Sequence, residues 1–195
     1  MNGSATVVRS GCMAKEADMI LSEFILLGIG GKELSEENAA QTAKALNIIQ
    51  PDFIRVHATG IKLESKLGEF VRDGSFTLQS EEEIVIEQKL FLQQLHEMDS
   101  YYVNEHIVNL LLEIRGNLRT EKQEMLSTID RFLTLPPDEM LLFTVGRRLN
   151  IFFRLDDLKK PKLHQKAGES LQQILSKNPH VDFAALCNYV RQSQI

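Results

Sequence analysis

The chain changes its hydrophobic pattern several times, and each change predicts a different kind of element. Residues 6–20 carry an irregular apolar stripe that is typical of a helix ending near Asp18. Residues 21–27 are nearly continuously apolar, as expected of a buried parallel strand rather than a half-solvated one. Ser35 then caps a helix that Pro51 ends, and residues 52–57 predict a second strand. We therefore predict a strand–helix–strand unit with a parallel, right-handed crossover.

Helical spacing dominates beyond residue 60. Residues 63–71 predict a short helix that Gly74 ends, Ser80 opens a helix that runs to about His96, and residues 101–103 predict a last strand. From residue 106 onward only helices are predicted, at 107–114, 125–135 (after a capping box at 120–123), 137–149, 162–175 and 182–190. The fold class is therefore α/β followed by all-α, with a boundary between residues 1–104 and residues 105–195.

Composition excludes several classes of function. Of 195 residues, 43% are hydrophobic and 25% are charged, which is typical of a folded globular protein. The net charge of -5 disfavours nucleic-acid and anionic-membrane partners, because both need clustered Lys and Arg. Cys12 and Cys187 are far apart and lack metal-ligand spacing, and no apolar run approaches the roughly 20 residues of a membrane span. We therefore expect a cytoplasmic protein that binds neither nucleic acid nor membranes.

The Gly-Ile-Gly-Gly turn at residues 28–31 is the strongest candidate site. It does not fit the dinucleotide-binding fingerprint, because the sixth position is Glu33, nor the phosphate-binding loop, because Leu26 replaces its first glycine. Glycines at the carboxyl end of a parallel strand nevertheless let a ligand approach the backbone closely, and ligands bind at that edge. The alternative is a plain turn in which the glycines serve geometry alone.

Several motifs resemble those of one family. They are Ile-Leu-Leu-Gly-Ile-Gly-Gly-Lys-Glu at residues 25–33, Ser-Glu-Glu-Asn at 35–38, Pro-Asp-Phe-Ile-Arg-Val at 51–56, Gly-Ser-Phe at 74–76, Asn-Glu-His-Ile-Val-Asn-Leu-Leu at 104–111, Ile-Asp-Arg-Phe-Leu at 129–133 and Gly-Arg-Arg-Leu at 146–149. The first three resemble the fifth strand, helix and sixth strand of the radical S-adenosylmethionine (radical SAM) barrel. The others are similar to the Elongator-like and oxygen-independent coproporphyrinogen oxidase-like group of that family.

The resemblance implies a partial, half TIM-like barrel of two to three parallel strands with crossover helices, followed by a C-terminal helical extension. It also implies S-adenosylmethionine and a [4Fe-4S] cluster as the cofactors of the complete protein. In this family the glycine-containing strand end lies beside the adenine. Together with two polar residues of the second strand, it defines our candidate cofactor-binding residues: Gly28, Ile29, Gly30, Gly31, Arg55 and His57.

The chain departs from the family in its cysteines. Three cysteines spaced CxxxCxxC hold the family's cluster, and Cys12 and Cys187 cannot form that triad. Residues 63–66 also read Leu-Glu-Ser-Lys, where related proteins often carry a Pro-Gly-Thr-Pro-like stretch. We therefore expect the C-terminal part of such an enzyme, which alone binds neither cofactor and is inactive. Its partner would be the missing N-terminal half-barrel or a second copy, and a small-molecule ligand is compatible with both.

Alternation in the second strand puts Phe53, Arg55 and His57 on one face and an all-apolar set on the other. Arg55 and His57 would then face the barrel interior, where a cation could bind the carboxylate of S-adenosylmethionine or an anionic substrate. The alternative pairs Arg55 with a structural carboxylate and leaves His57 on the surface. His106 is predicted to belong to a polar helix start, and the acids at residues 81–83 to complement a helix dipole.

A second function class also stays open. The chain could be a noncatalytic helical interaction module, in which two or three strands only brace the helices and the glycines only shape a turn.

Overall fold

A computed structural model describes residues 3–194 of the chain. Its first half contains the helices α1 (Gly3–Glu16), α2 (Ser35–Ile49), α3 (Lys66–Asp73) and α4 (Glu81–Gln94) and the strands β1 (Ser22–Leu27), β2 (Phe53–Ala58) and β3 (Tyr101–Val103). Its second half contains the strand β4 (Gly116–Asn117), the helices α5 (Lys122–Leu133), α6 (Pro137–Arg148), α7 (Pro161–Lys177) and α8 (Phe183–Gln192), and a 3₁₀ helix (Leu155–Lys159). No helix in this described range is long and apolar enough to cross a membrane.

The four strands form one mixed sheet in the order β1-β2-β3-β4. β1, β2 and β3 are parallel, and the short β4 pairs antiparallel with β3. In the register of the first pair, Ser22 lies opposite Phe53 and Leu27 lies opposite Ala58. The prediction of an α/β fold with additional helices is confirmed, and the strand–helix–strand unit lies where the hydrophobic pattern predicts it.

All crossover helices that touch the sheet core lie on one face of the sheet. The alternate residues Ile25, Ile54 and Val56 are buried in the same hydrophobic cluster as Ala43 of α2 and Ile84 of α4. α2 and α4 also pack against each other, so they share that face. The connection between neighbouring parallel strands therefore returns each time over the same side.

The opposite face of the sheet is open along β1 and half-buried along β2. Phe24 is 63% exposed and Leu26 is 47% exposed, while the alternating residues Ile25 and Leu27 are buried. β1 is therefore half-solvated, and the expectation that both its faces are buried was wrong. The apolar run predicted burial of both faces because the residues of the open face are apolar as well.

Two local predictions after residue 104 were also wrong. Residues 107–114 form turns rather than a helix, because the Asn109 side chain is fixed to the backbone of β2. Its Nδ2 donates to the Val56 carbonyl at 2.7 Å, and its Oδ1 accepts from the Ala58 N–H at 2.7 Å. The capping box at residues 120–123 is absent, since Glu121 instead accepts the Asn117 N–H of β4 at 2.7 Å.

The buried core continues without interruption from the sheet into the C-terminal helices. Phe91 and Tyr102, which pack near the sheet, belong to the same cluster as Phe132, Phe143 and Phe152. The rings of Phe143 and Phe152 stack at 5.9 Å between centroids. The C-terminal helices are therefore packed directly onto the α/β part.

Candidate functional site at the carboxyl end of the sheet

The glycine turn after β1 is built by two positive-φ glycines. Gly28 has a φ of 82° and Gly31 a φ of 64°, a region that side chains disfavour. The Gly31 N–H donates to the Gly28 carbonyl at 3.2 Å, and a Cβ at Gly31 would lie 3.0 Å from the Thr77 carbonyl oxygen. Both glycines are buried, so turn geometry and packing alone require glycine at these positions.

The tip of this turn is accessible. Ile29 is exposed and Gly30 is half-buried, in contrast to the two glycines that flank them. A ligand that approached the carboxyl end of β1 would therefore meet Ile29 and Gly30, while Gly28 and Gly31 would shape the turn behind them.

A buried carboxylate holds the turn in place. Glu87 of α4 is fully buried and accepts from the Gly28 N–H at 3.2 Å, from Asn38 Nδ2 at 2.7 Å and from Ser35 Oγ at 3.0 Å. The predicted cap role of Ser35 was wrong, because Leu34 is the N-cap and the Ser35 hydroxyl binds Glu87 instead. Sequence reasoning missed Glu87, whose position within a helical pattern resembles that of any solvated acid.

Arg55 lies on the open face of the sheet. Its Nε donates to Ser22 Oγ at 3.0 Å, and its Cζ lies 6.0 Å from the Phe24 ring centroid and 5.8 Å from that of Phe53. Arg55 forms no ion pair with any other residue of the described range. The structure therefore contains no structural carboxylate for it, and an anion could bind this guanidinium.

His57 is stacked on His106, which follows β3. Their ring centroids are 4.2 Å apart, and the Phe24 ring meets His57 edge-on at 5.4 Å. Burial lowers the pKa of His57, and the nearby His106 and Arg55 lower it further, so that the neutral imidazole is favoured. His106 was predicted to belong to a polar helix start. Its position soon after β3, the strand next to β2, was the signal that could have predicted its contact with His57.

A second polar cluster lies at the start of α4. The buried Glu81 accepts from Arg148 Nη2 at 2.5 Å and Nε at 3.1 Å, and from Arg191 Nη1. Burial alone would raise the pKa of Glu81, but Arg148 and Arg191 outweigh that effect and lower it. Glu81 is thus more than the dipole-complementing acid that the sequence indicates, and it joins three helices.

The structure places only some of the predicted residues at the carboxyl end of the sheet. Ile29 and Gly30 follow β1, and His57 lies one residue before the end of β2, beside His106. The Arg55 guanidinium is instead directed toward Ser22, at the amino end of β1. Within residues 3–194, no group of three or more His, Cys, Asp and Glu side chains is arranged to hold a metal ion. Comparison with protein-family models, with curated proteins and with solved structures finds no match.

Proposed function

We propose that the chain is the C-terminal part of a radical S-adenosylmethionine enzyme, which contributes the adenine-side edge of the cofactor site and is not catalytic alone. The observation that carries this proposal is the incompletely covered face of the parallel sheet, which is open along β1. Parallel sheets are almost always covered on both faces, either by helices or, in a closed barrel, by the side chains of the other strands. An open inner face is what a separated segment of a barrel would present.

The order of the strands supports the same reading. β1, β2 and β3 are neighbours in chain order, with the crossover helices on one face, as in a singly wound barrel rather than a doubly wound sheet. The outer edge of β1 pairs with no strand of the described range, so its backbone groups could continue a ladder. The strands of the missing part would extend the sheet from that edge.

The residues present fit one implied cofactor and not the other. Ile29 and Gly30 offer an exposed apolar and backbone surface for an adenine, whereas the Arg55 guanidinium is directed toward Ser22 at the other end of β1. Cys12 on α1 and Cys187, which is buried in α8, do not fit a cluster that needs three convergent thiolates. The missing part would have to hold the [4Fe-4S] cluster.

The experiment begins with the coding DNA directly upstream. If it encodes CxxxCxxC, the joined polypeptide is reconstituted anaerobically with iron and sulfide, reduced with dithionite, and assayed for 5′-deoxyadenosine formation from S-adenosylmethionine. We expect formation by the joined protein, loss in Ile29→Asp, and little change in Ile48→Asp, an exposed isoleucine of α2. An unrelated upstream sequence, or a stoichiometric cluster on the isolated chain, would overturn the proposal.

One observation favours the second candidate, a noncatalytic interaction module with a small bracing sheet. The geometry of the turn alone explains why residues 28 and 31 are glycines, because both have positive φ and the Gly28 N–H donates to Glu87. The two candidates differ in what the open sheet face contacts. An independent promoter and start site, with nothing related upstream, would favour the module.

A further inference from the structure

Arg147 of α6 is a buried cation with unused hydrogen-bond donors. Its side chain is 0% exposed, and its Nη2 donates to the Ile107 carbonyl at 2.9 Å and the Asn109 carbonyl at 3.1 Å. Its Nε and Nη1 have no hydrogen-bond partner within the described residues, and it forms no ion pair there. Unpaired buried charge is costly, and such groups in native proteins call for a functional or ligand-based explanation.

Phe153 connects this guanidinium to a cavity. Arg147 Cζ lies 5.7 Å from the Phe153 ring centroid, and the same ring lines a cavity of about 470 Å³. Phe153 is 47% exposed, and its ring contacts both the buried guanidinium and the cavity. We call this space the Phe153 cavity; it is lined by Glu105, Leu112, Glu113, Arg115, Phe153 and Arg154.

The Phe153 cavity is lined by two arginines and two glutamates, and only one arginine and one glutamate of these pair with each other. Arg115 is paired with Glu105, whereas the exposed Arg154 has no ion pair in the described part of the chain. Glu113 accepts the Leu155 N–H at 2.8 Å through one oxygen, and its other oxygen is buried without a partner. Burial raises the pKa of Glu113. Arg154 and the nearby Arg147 are two cations without an ion pair in the described range, and this excess over Glu113 favours an anion.

We propose that the Phe153 cavity binds a small oxyanion, the phosphate or carboxylate group of a metabolite, between Arg154 at its rim and Arg147 behind the Phe153 ring. Charge-assisted hydrogen bonds from two guanidinium groups would replace the weaker contact between Arg147 and the ring. Arg147 also holds the carbonyls of residues 107 and 109, directly after His106, so the oxyanion would sit beside the carboxyl edge of the sheet. This site does not depend on the proposed function.

The test uses the whole chain with inorganic phosphate or acetate as the probe, against chloride at equal ionic strength. Thermal unfolding measures stabilisation, which should rise with probe concentration and saturate. The Arg147 Nε–H resonance in ¹⁵N NMR should shift along the same curve. We expect Arg154→Met to weaken binding roughly tenfold to a hundredfold, as loss of hydrogen bonds to a charged group does. Phe153→Ala should tighten binding because the ring no longer occupies the path to Arg147.

The matched control is Arg72→Met, at an exposed arginine of α3 without an ion pair in the described range, which should bind like the unmodified chain. Saturation by phosphate alone or by acetate alone would identify the kind of oxyanion. The proposal is overturned if neither probe saturates, or if Arg154→Met and Arg72→Met bind equally. It is also overturned if stabilisation saturates while the Arg147 resonance stays fixed.

Discussion

Replacing Glu81 with glutamine tests whether the buried ion cluster joins α4, α6 and α8. Glu81 is buried between Arg148 and Arg191, so glutamine would leave two buried guanidinium groups without a counter-charge. Removal of one partner from a buried ion pair typically costs about 3–5 kcal/mol. Glutamine keeps the shape and one acceptor oxygen, and we therefore expect a loss of about 3 kcal/mol in the free energy of unfolding.

Urea unfolding followed by circular dichroism measures this loss. With a urea m-value of about 2–3 kcal/mol/M, the midpoint should fall by roughly 1–1.5 M. The matched control is Glu82→Gln in the same first turn of α4, where the side chain is exposed. It removes only an interaction with the helix dipole, which is worth about 0.3–1 kcal/mol.

The pH dependence gives a second readout of the same cluster. Because Arg148 and Arg191 hold the pKa of Glu81 below its usual 4.5, the unfolded chain takes up a proton first as the pH falls. The stability supplied by Glu81 is therefore present above pH 4.5 and is lost below it. The difference in the free energy of unfolding between the unmodified chain and Glu81→Gln should stay constant from pH 8 down to pH 5. It should narrow as the pH falls further. Equal losses in Glu81→Gln and Glu82→Gln would refute the reasoning.

Three further outcomes are expected. Gly31→Ala should lose about 1–2 kcal/mol of stability because its φ is 64°, whereas Gly168→Ala, in open space within α7, should gain about 0.5–1 kcal/mol in the same urea assay. Burial and then His106 lower the pKa of His57, so the unfolded chain binds a proton at this residue before the folded chain does. Acidification from pH 7.5 to 5.5 should therefore lower the thermal unfolding temperature of the unmodified chain more than that of His57→Asn. The isolated chain should self-associate in sedimentation experiments and Phe24→Glu should reduce this, so a monodisperse monomer at high concentration would count against the open sheet face as an interaction surface.

The hydrophobic pattern predicts the first half of the fold well because its signals are local. The apolar run of β1, the alternation in β2 and the Ser80 capping box each depend on residues within one element. Ser80 indeed accepts the Glu83 N–H, and Glu83 accepts the Ser80 N–H at 2.7 Å. The period-two pattern also correctly separates the half-buried Arg55 and His57 from the buried face of β2.

The parts that sequence reasoning missed depend on contacts between distant residues. Residues 107–114 do not form the predicted helix because the Asn109 side chain bonds the backbone of β2, more than 50 residues earlier in the chain. Glu81 and Glu82 are indistinguishable as first-turn acids, and only the positions of Arg148 and Arg191 decide that one is buried. A local pattern contains no information on which distant element covers a given position, so buried polar partners are the features it misses.

The C-terminal helices do more than cover one end of the α/β part. Three backbone positions that end β2 or follow it are held by side chains from beyond residue 105: Asn109 binds Ala58, Arg191 Nε donates to the Thr59 carbonyl at 3.1 Å, and Asn188 bonds both the N–H and the carbonyl of Ile61. A loop at the carboxyl end of a parallel strand is where ligands bind, and its backbone must be held to present a fixed surface. The hydrogen bonds from α8 fix the backbone of the loop after β2. Any ligand site at this edge therefore depends on the helical part for its geometry, although the residues that face the ligand lie on the sheet.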